Sequence, residues 1–586
     1  RLARPTNAPA TPRDPTPAAA NLPGRGAGTP AAPVPALNPV TPLASLPAGT
    51  AAPDAARGPE ALLTLTNEAV RFVFTSHGGG LKLAELLEYP AQVDCHLQGG
   101  DAAGTRAPLA LNRLAPLPVL AFRNAALLEG NAEYALSRLP DGVRAERTNA
   151  NGLRIVREFT LPPKPTTNHH LLRATVRIEN RAASALQLPT QEWSAGSATP
   201  ANRHDKGEIM GLDWYDGKST SQAISWVSTP GLFCFPSRPA EEYTAGERNV
   251  VWAAVHNQFF TLITLPDAPA ERVIARRVLL PAPTAAEMAA DPRTVPQPVG
   301  AETVLVYPAV TINPGESLTR TFTLYAGPKE YFGLSRLQPE FDRVMGYGIF
   351  GFFAKPLLLG MNFLHYSLGL PYGWAIVVIT LLIKSVFWPL TSVSTRSMKR
   401  MQELGPQLQV IREKYKDDPK KLNEKTLEFM RTSGYNPVAG CLPMLVQIPV
   451  FIGFFTMLRS AIELRGAGFL WCCDLSAADT LFAIPGLGWL PLLGVPGLGL
   501  PVNLMPLLYV GTALWQTHLT PPSPQMDPAQ QKIFRWMPLM FLALFYNYSA
   551  GLTLYWTVQN LLSILQTKIT KSNEPAAPAT PARRPR

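Results

Sequence analysis

The stretch YGWAIVVITLLIKSVFWPL, residues 372–390, and the stretch NPVAGCLPMLVQIPVFIGFFTMLRSAIEL, residues 436–464, decide the fold of this chain. A helix needs about 20 mostly apolar residues to cross the hydrocarbon core of a bilayer, and each stretch supplies them. A strongly basic segment separates the two stretches. The pair therefore predicts two membrane-spanning helices joined by a polar segment outside the bilayer.

One cation, Lys384, lies inside the first apolar stretch. A Lys near the centre of a membrane helix costs about 2.5–3.5 kcal/mol to insert, so such a residue is by default a functional-site hypothesis. Thr380 lies one turn earlier on the same helix face. Two interpretations stay open. In the first, the Lys384 side chain extends along the helix to the lipid headgroups, since about 9 Å of helix rise separates it from the predicted helix end. In the second, a polar cavity inside the membrane keeps the ammonium group hydrated.

Further apolar stretches follow, and the chain is predicted to contain five spans. The predicted spans are 372–390, 437–464, 502–519, 533–548 and 551–569. Gln447 lies inside the second span and Gln516 near the end of the third. The fourth span is about 24 Å long, shorter than a hydrocarbon core of about 30 Å, which predicts local thinning of the bilayer. The fifth span carries an unusual polar load, made of Tyr555, Trp556, Gln559, Asn560, Ser563 and Gln566.

The basic segment between the first two spans, residues 392–434, is predicted to form a helical hairpin in the cytoplasm. Its apolar residues recur at helical spacing, which argues against a merely solvated linker. Asp418 and Pro419 are typical of the cap and the first position of a second helix. The excess of Lys and Arg assigns the segment to the cytoplasmic side.

The loop between the second and third spans, residues 465–499, has Arg465 as its single basic residue and is predicted to lie on the opposite side. Its apolar part continues to the next span as LFAIPGLGWLPLLGVPGLGL, residues 481–500. Gly and Pro interrupt this run too often for a membrane-spanning helix. The pattern predicts a re-entrant or interfacial loop.

The residues before the first span have a different texture. Val70, Phe72 and Phe74 alternate with their neighbours, and such period-two patterns between Gly, Pro and Asn clusters predict an antiparallel β-sandwich. The predicted fold class is an α-helical polytopic membrane core preceded by an all-β sandwich domain. The predicted parts are a disordered Pro/Ala-rich tether (1–58), the β-sandwich domain (59–330), an interfacial amphipathic helix (331–370), the membrane core with its hairpin (371–570) and a basic cytoplasmic tail (571–586).

Composition narrows the function classes. The net charge of +11 over 586 residues is modest and favours anionic lipid or an acidic client over nucleic acid, so no sequence-specific nucleic-acid partner is predicted. No spacing typical of a metal site, a nucleophile elbow or a phosphate loop occurs, and we predict no cofactor, no metal and no enzyme. Cys95 and Cys234 could pair if their domain is exported. Because the chain does not begin with Met, we expect a targeting or anchor segment ahead of it.

Several motifs, in their order and spacing together, resemble the YidC family of membrane protein insertases. The motifs of the helical half are IKSVFWPLT (383–391), QELGPQLQVIREKY (402–415), NPVAGCLPMLVQIPVFIGFF (436–455), DPAQQKIFRWMP (527–538) and SAGLTLYWTVQNLLSILQ (549–566). The β-rich half resembles the large periplasmic domain of that family through FTSHGGGLKLAELLEY (74–89) and YAGPKEY (325–331). The resemblance covers about residues 60–570.

The resemblance implies a multi-pass protein of the bacterial inner membrane, with the sandwich domain in the periplasm and the hairpin and C-terminus in the cytoplasm. It implies a polar groove, open to cytoplasm and lipid, that takes client transmembrane segments without ATP hydrolysis. The implied partners are nascent membrane proteins, the ribosome, the Sec translocon and membrane lipids. The implied groove residues are Thr380, Lys384, Gln516, Tyr555 and Trp556, to which we add Gln447 for its polarity.

Two features depart from the family pattern, and two other function classes stay open. Lys384 stands where the family usually has Arg, and the loop before the third span is longer than expected. Lys is a strongly hydrated point charge, so we expect either a weaker charge step or a wetter groove. Polar residues at mid-membrane and broken helices also occur in solute transporters and channels, although no inverted repeat is evident. The third class is a membrane-anchored enzyme, since the sandwich resembles sugar-binding folds, a likeness of fold alone.

Overall fold

The computed structural model of the chain describes residues 58–93, 107–123, 128, 132–163, 168–205, 207, 209–218, 220–222, 242–291, 293–337, 339–433, 437–519 and 528–572. The predicted tether up to residue 57, the tail beyond residue 572, Cys95 and Cys234 lie outside these residues. Three further cysteines lie in the described residues, and Cys441 is part of the helix at Pro437–Ser460. Cys472 is a buried free thiol, and Cys473 is disulfide-bonded.

The first half of the described chain is built from β-strands, as the alternating pattern predicts. Its strands are β1 (Leu62–Thr66), β2 (Val70–Thr75), β3 (Leu81–Pro90), β4 (Pro108–Leu111), β5 (Ala135–Leu139), β6 (Gly142–Thr148), β7 (Leu153–Thr160), β8 (Leu171–Asn180), β9 (Leu186–Leu188), β10 (Gln191–Ala198), β11 (Gly211–Tyr215), β12 (Thr220–Gln222), β13 (Glu242–Ala245), β14 (Trp252–His256), β15 (Phe260–Pro266), β16 (Arg272–Leu279), β17 (Val299–Tyr307), β18 (Val310–Ile312) and β19 (Ser317–Pro328). A short helix, α1 (Ala285–Ala290), lies between β16 and β17.

These strands form one nine-stranded sheet, two four-stranded sheets and the two-stranded sheet β18-β9, all antiparallel. The large sheet has nine strands in the order β12-β11-β14-β15-β19-β8-β7-β6-β5. Two four-stranded sheets, β1-β2-β3-β4 and β10-β17-β16-β13, pack against it. Rings meet between the layers, with the Trp193 and Phe322 centroids 5.2 Å apart and those of Phe74 and Phe159 4.7 Å apart. The predicted β-rich domain is therefore confirmed.

Strand β8 shows why the alternation predicted strands. Leu172, Ala174, Val176 and Ile178 are all buried, while Arg173 and Arg177 between them are exposed. Successive side chains of a strand point to opposite faces, so one face enters the core and the other meets water. Pairing with β7 on one side and β19 on the other satisfies the backbone of β8.

The second half is helical. Its helices are α2 (Tyr331–Ser335), α3 (Gly351–Leu368), α4 (Tyr372–Glu403), α5 (Gly405–Lys414), α6 (Pro419–Thr432), α7 (Pro437–Ser460), α8 (Leu504–Leu519), α9 (Pro528–Phe545) and α10 (Ala550–Ser572), with 3₁₀ turns at Phe341–Met345, Gly348–Phe350 and Ile462–Leu464. Two short strands, β20 (Thr480–Ile484) and β21 (Leu500–Asn503), pair in the loop between α7 and α8. Helices α4, α7, α8, α9 and α10 cover the five predicted apolar stretches.

One of these helices is long and apolar enough to cross a membrane by length and composition, considering the described residues alone. Its candidate span is Tyr372–Val393 within α4. The apolar part of α9, Arg535–Phe545, is shorter. Several of the other apolar helices carry prolines or polar residues that interrupt their hydrophobic runs.

The helix predicted over 331–370 is shorter than expected. Continuous helix begins at Gly351, after the two 3₁₀ turns. Gly346 and Gly348 have positive φ values of 68° and 51°, a left-handed conformation that interrupts a right-handed helix and that Gly adopts at little cost. The apolar periodicity continues through these residues, but helix α2 ends at Ser335 and the left-handed backbone at the two glycines prevents a continuous helix before Gly351.

The β-rich and helical halves share one core. Tyr215, Trp252 and Tyr325 of the nine-stranded sheet pack in the same apolar cluster as the helical residues Phe341 and Met345. Hydrogen bonds add to this contact: Trp252 Nε1 donates to the Pro339 carbonyl at 2.9 Å, and Gln258 Nε2 to the Arg459 carbonyl at the end of α7 at 2.9 Å. The β-rich domain is thus fastened to one end of the helical bundle.

Candidate functional site

The side chain of Lys384 lies between α4 and α10. It is 6% exposed, and its Nζ donates to Ser563 Oγ on α10 at 2.8 Å. Ser563 donates its own hydroxyl proton to the Gln559 carbonyl at 2.8 Å, one turn earlier on α10. The hydroxyl oxygen therefore offers a lone pair to the ammonium group. Among the described residues no carboxylate forms a salt bridge with Lys384, so its positive charge has no internal counter-ion there.

Thr380 lies one turn before Lys384, as the helical spacing predicts, and is fully buried. Its Oγ1 donates to the Ile376 carbonyl at 2.6 Å. A Thr that bonds back to the carbonyl four residues earlier has used its donor locally. Thr380 and Lys384 share one helix face, because they are four residues apart.

Further polar contacts extend along α10. Gln566 Nε2 donates to Thr391 Oγ1 on α4 at 2.6 Å, and Asn560 Nδ2 donates to Thr512 Oγ1 on α8 at 3.3 Å. Asn560, Ser563 and Gln566 are three residues apart, so their polar side chains lie along one side of α10. We call Asn560, Ser563 and Gln566, with their partners Thr512, Lys384 and Thr391, the polar seam.

Tyr555 and Trp556 occupy a different environment. Tyr555 is buried and stacks on Phe454 of α7, with the ring centroids 4.2 Å apart. Trp556 stacks on Phe451 of α7 at 6.1 Å and meets Phe545 of α9 edge-on at 4.7 Å. The two predicted groove aromatics thus join α10 to its neighbours as core residues. Their rings are engaged by other rings rather than by the ammonium group.

Gln447 of α7 and Gln516 of α8 are both half-buried. Within the described contacts neither is hydrogen-bonded to Lys384. The structure therefore brings together Thr380 and Lys384 on one face of α4. It adds Ser563 as the direct partner, which sequence reasoning had noted only as part of the polar load of the fifth span. No group of three or more metal-binding side chains occurs among the described residues.

The sequence matches two family models, and it is similar to many proteins that are named membrane protein insertase YidC. The model of the 60Kd inner membrane protein matches residues 363–577, and that of the YidC periplasmic domain matches residues 124–359. The membrane protein insertase YidC of Bordetella avium is 30% identical over 541 residues, which are 89% of this chain and 85% of the relative. The chain belongs to the YidC family of membrane protein insertases.

Other members of the YidC family match more closely over less of the chain. The membrane protein insertase YidC of Leptospira interrogans is 40% identical over 285 residues, covering 46% of this chain and 44% of the relative. The chain thus spans less than half the length of that relative in the alignment. Among solved structures, an active YidC insertase with its first transmembrane domain resolved covers 86% of this chain at 18% identity, with a TM-score of 0.32. The first model is named for an inner membrane protein, and the relatives are bacterial, so members of this family are bacterial inner-membrane proteins.

Proposed function

We propose that this chain inserts client transmembrane segments into the bacterial inner membrane, through a polar groove formed by α4, α7, α8 and α10. The observation that carries the proposal is Lys384. Its ammonium group is buried, is held by the Ser563 hydroxyl, and has no carboxylate partner among the described residues. An intramembrane cation without a counter-ion suits a transient ligand that brings its own negative charge.

The proposed topology follows the charge distribution. Helices α4, α7, α8, α9 and α10 cross the membrane, α5 and α6 lie in the cytoplasm, and the β-rich domain lies in the periplasm. The basic residues between α4 and α7 support the cytoplasmic side for that segment. In the structure α5 and α6 pack through Leu408 and Met430, and Asp418 caps α6 by accepting from the Lys421 backbone N–H at 3.1 Å.

The client is proposed to approach from the cytoplasm, from the ribosome or beside the Sec translocon. The translocated segment of a client often carries Asp or Glu, which must move toward the hydrocarbon. A charge pair at 4 Å gains about 1 kcal/mol in bulk water but about 4 kcal/mol at an effective dielectric constant near 20. Lys384 therefore lowers the barrier for an acidic segment only because its surroundings exclude most water.

After the acidic residue has reached Lys384, the apolar client helix is proposed to leave sideways into the lipid. This step needs no covalent chemistry, and we propose that no ATP is hydrolysed and no cofactor is used. The energy comes from burying the apolar client residues in the bilayer, about 25 cal/mol per Å² of apolar surface. Membership in an insertase family favours this function over a solute transporter or channel.

The test uses one client in two forms, with its translocated acids present or replaced by Asn. The parent protein and the variants Lys384→Arg, Lys384→Ala and Lys384→Glu are reconstituted in vesicles, and protease protection measures insertion. Lys384→Arg should insert both clients. Lys384→Ala should impair the acidic client about tenfold, equivalent to about 1.4 kcal/mol, and leave the Asn client nearly normal. Lys384→Glu should be worst for the acidic client.

The Asn client is the matched control, because it shares every apolar residue with the acidic one. If the Ala and Glu variants insert both clients as well as the parent does, Lys384 is only a snorkelling anchor and the electrostatic step is wrong. If no variant and no parent inserts either client, the insertase function itself fails.

A further inference from the structure

The loop between α7 and α8 exposes an unusual number of large apolar side chains. Trp489 is 74% exposed although it is the largest residue type. The other exposed large apolar residues of the loop are Leu470, Phe482, Ile484 and Leu492. Soluble proteins rarely expose contiguous apolar patches of this kind unless the patch contacts a partner or a membrane.

The exposed surface of this loop carries no charged side chain. Residues 466–503 contain no Lys, Arg or His, and their two acids, Asp474 and Asp479, are 7% and 5% exposed. Both carboxylates are bonded inward: Asp474 Oδ1 accepts from Ser476 Oγ at 2.7 Å, and Asp479 Oδ2 accepts from Trp471 Nε1 at 2.9 Å. The loop therefore offers a protein partner no exposed charge for a salt bridge. Contact with lipid tails would bury no charged group.

The loop is fastened to the helix ends on one side of the bundle. The backbone N–H groups of Ala550 and Gly551, at the start of α10, donate to the Ala477 and Leu475 carbonyls at 2.7 and 2.8 Å. Asn547 Nδ2 donates to the Leu492 carbonyl at 3.1 Å. The loop therefore lies at the level where the end of α9 and the start of α10 meet.

The same level includes the start of α4. The Trp374 ring of α4 meets Phe469 of the loop at 5.4 Å, edge to face. The loop thus packs, through the buried Phe469, against the start of a helix that we place in the membrane, and Trp374 is itself 49% exposed there. Among exposed side chains of α8 and α9 are Leu507, Leu508, Met540 and Leu544, which give those helices an apolar outer surface as well.

We propose that residues 466–503 lie in the outer leaflet of the bilayer, with Trp489, Leu492 and Phe482 at the boundary between headgroups and acyl chains. Trp prefers this boundary because its ring is apolar while its N–H group bonds to water or headgroups. The occupant of the patch is phospholipid. The loop would then act as an anchor that fixes the turn between α9 and α10 at the outer surface. This inference rests on the membrane placement given under the proposed function.

The test measures Trp emission from the full chain in vesicles of phosphatidylcholine and phosphatidylglycerol, with and without bromine atoms on the acyl chains. The chain has 11 Trp residues, so the emission of Trp489 is obtained by subtracting the spectrum of Trp489→Phe from that of the parent. We expect this difference spectrum to be blue-shifted, quenched by brominated lipid, and protected from aqueous iodide.

Two variants serve as controls. Leu279→Trp adds a Trp at a site of the β-rich domain that is 69% exposed, and its emission should be red-shifted, quenched by iodide and insensitive to brominated lipid. Trp536→Phe reports a Trp that is exposed on α9, which should be quenched by brominated lipid.

The outcomes separate the two hypotheses. If Trp489 behaves as Leu279→Trp does while Trp536 is quenched by brominated lipid, the loop lies in water and this inference is overturned. If neither Trp489 nor Trp536 responds to brominated lipid, the membrane placement of the helices is wrong. Insertion of clients does not enter the measurement, so the result is independent of the groove mechanism.

Discussion

Among the described residues, the β-rich domain and the helical bundle each contain a buried cation with no carboxylate bonded to it, and the two cations have different surroundings. Arg157 of β7 is 1% exposed, and its guanidinium lies 4.9 Å from the Phe122 ring centroid and 4.7 Å from that of Tyr134. Its Nη1 donates to the Gly78 carbonyl. Lys384 of α4 is 6% exposed and has a hydroxyl as its described hydrogen-bond partner.

The difference is in what surrounds the charge. Two aromatic faces cover Arg157, and stacking of that kind stabilises a cation by about 0.5–2 kcal/mol. Burial nevertheless keeps the pKa of Arg157 below its usual value. That cation links β7 to Gly78, Phe122 and Tyr134, which lie in segments between the named strands. The Lys384 ammonium group is not enclosed by rings, and a Lys has three N–H donors, of which the Ser563 bond uses one. Ring faces enclose the Arg157 guanidinium, whereas the described partner of the Lys384 ammonium group is a single hydroxyl. We therefore propose a structural role for Arg157 and a client-binding role for Lys384.

The largest effect is expected for Arg157→Ala. This change leaves a cavity between Phe122 and Tyr134 and removes the donor to the Gly78 carbonyl, so the free energy of unfolding should fall by about 3 kcal/mol or more. Urea unfolding of the full chain in detergent, followed by pulse proteolysis of the β-rich domain, measures it. Arg157→Met is the matched variant, since it fills much of the same space, and it should lose less. Equal stability of parent and Ala variant would show that the contacts of the Arg157 guanidinium with the two rings do not stabilise the domain.

Lys384→Ala should behave in the opposite way. Removing an ammonium group that has no counter-ion relieves a desolvation cost, so the free energy of unfolding should change by less than about 1 kcal/mol. The same urea and proteolysis measurement, applied to the helical bundle, checks this. A loss as large as that of Arg157→Ala would make Lys384 a structural cation, and the contrast between the two domains would disappear.

A smaller effect is expected for Ser563→Ala. It removes the hydroxyl that orients Lys384. A hydrogen bond to a charged group contributes about 1.5–3 kcal/mol. Water that enters in place of the hydroxyl restores part of this, so we expect insertion of an acidic client to fall by about threefold to tenfold. Ser563→Thr keeps the hydroxyl and should restore insertion. If the Thr variant is as impaired as the Ala variant, packing between α4 and α10 is the cause. The Asn form of the client should be unaffected by both.

The smallest effect concerns a paired surface charge of the β-rich domain. The hydrogen bond from Arg293 holds the pKa of Asp291 below its usual value of 3.8, and His204 Nε2 lies 2.6 Å from Asp291 Oδ2. Because the pKa is lower in the folded state, the stabilisation is present above pH 3.8 and is lost as the pH falls through the folded value.

Asp291→Asn should therefore lower the free energy of unfolding by less than about 1 kcal/mol at neutral pH, since solvent screens the pair. The difference between parent and variant should shrink as the pH falls below 3.8 and vanish only when Asp291 is protonated in the folded protein as well. Thermal unfolding of both proteins across that pH range measures it. A difference that grows as the pH falls would contradict the assignment.

Much of the local structure could be predicted from the sequence. The helices over the five apolar stretches, the alternation of β8 and the cap at Asp418 depend on residues within one or two turns or on one strand, and periodicity reports those directly. The interruption at Gly346 and Gly348 was missed because a glycine permits a left-handed conformation without requiring it.

The site needed the tertiary structure. Thr380 and Lys384 share a face because both lie on α4, and the sequence alone determined that. That Lys384 meets Ser563, 179 residues later, rather than Gln516, depends on how α4 and α10 pack. The burial of Tyr555 and Trp556 against Phe454 and Phe451 likewise depends on the position of α7. Helical periodicity fixes which residues share a face, but only the packing of the whole bundle decides which face meets which, because that choice minimises the energy of all contacts at once.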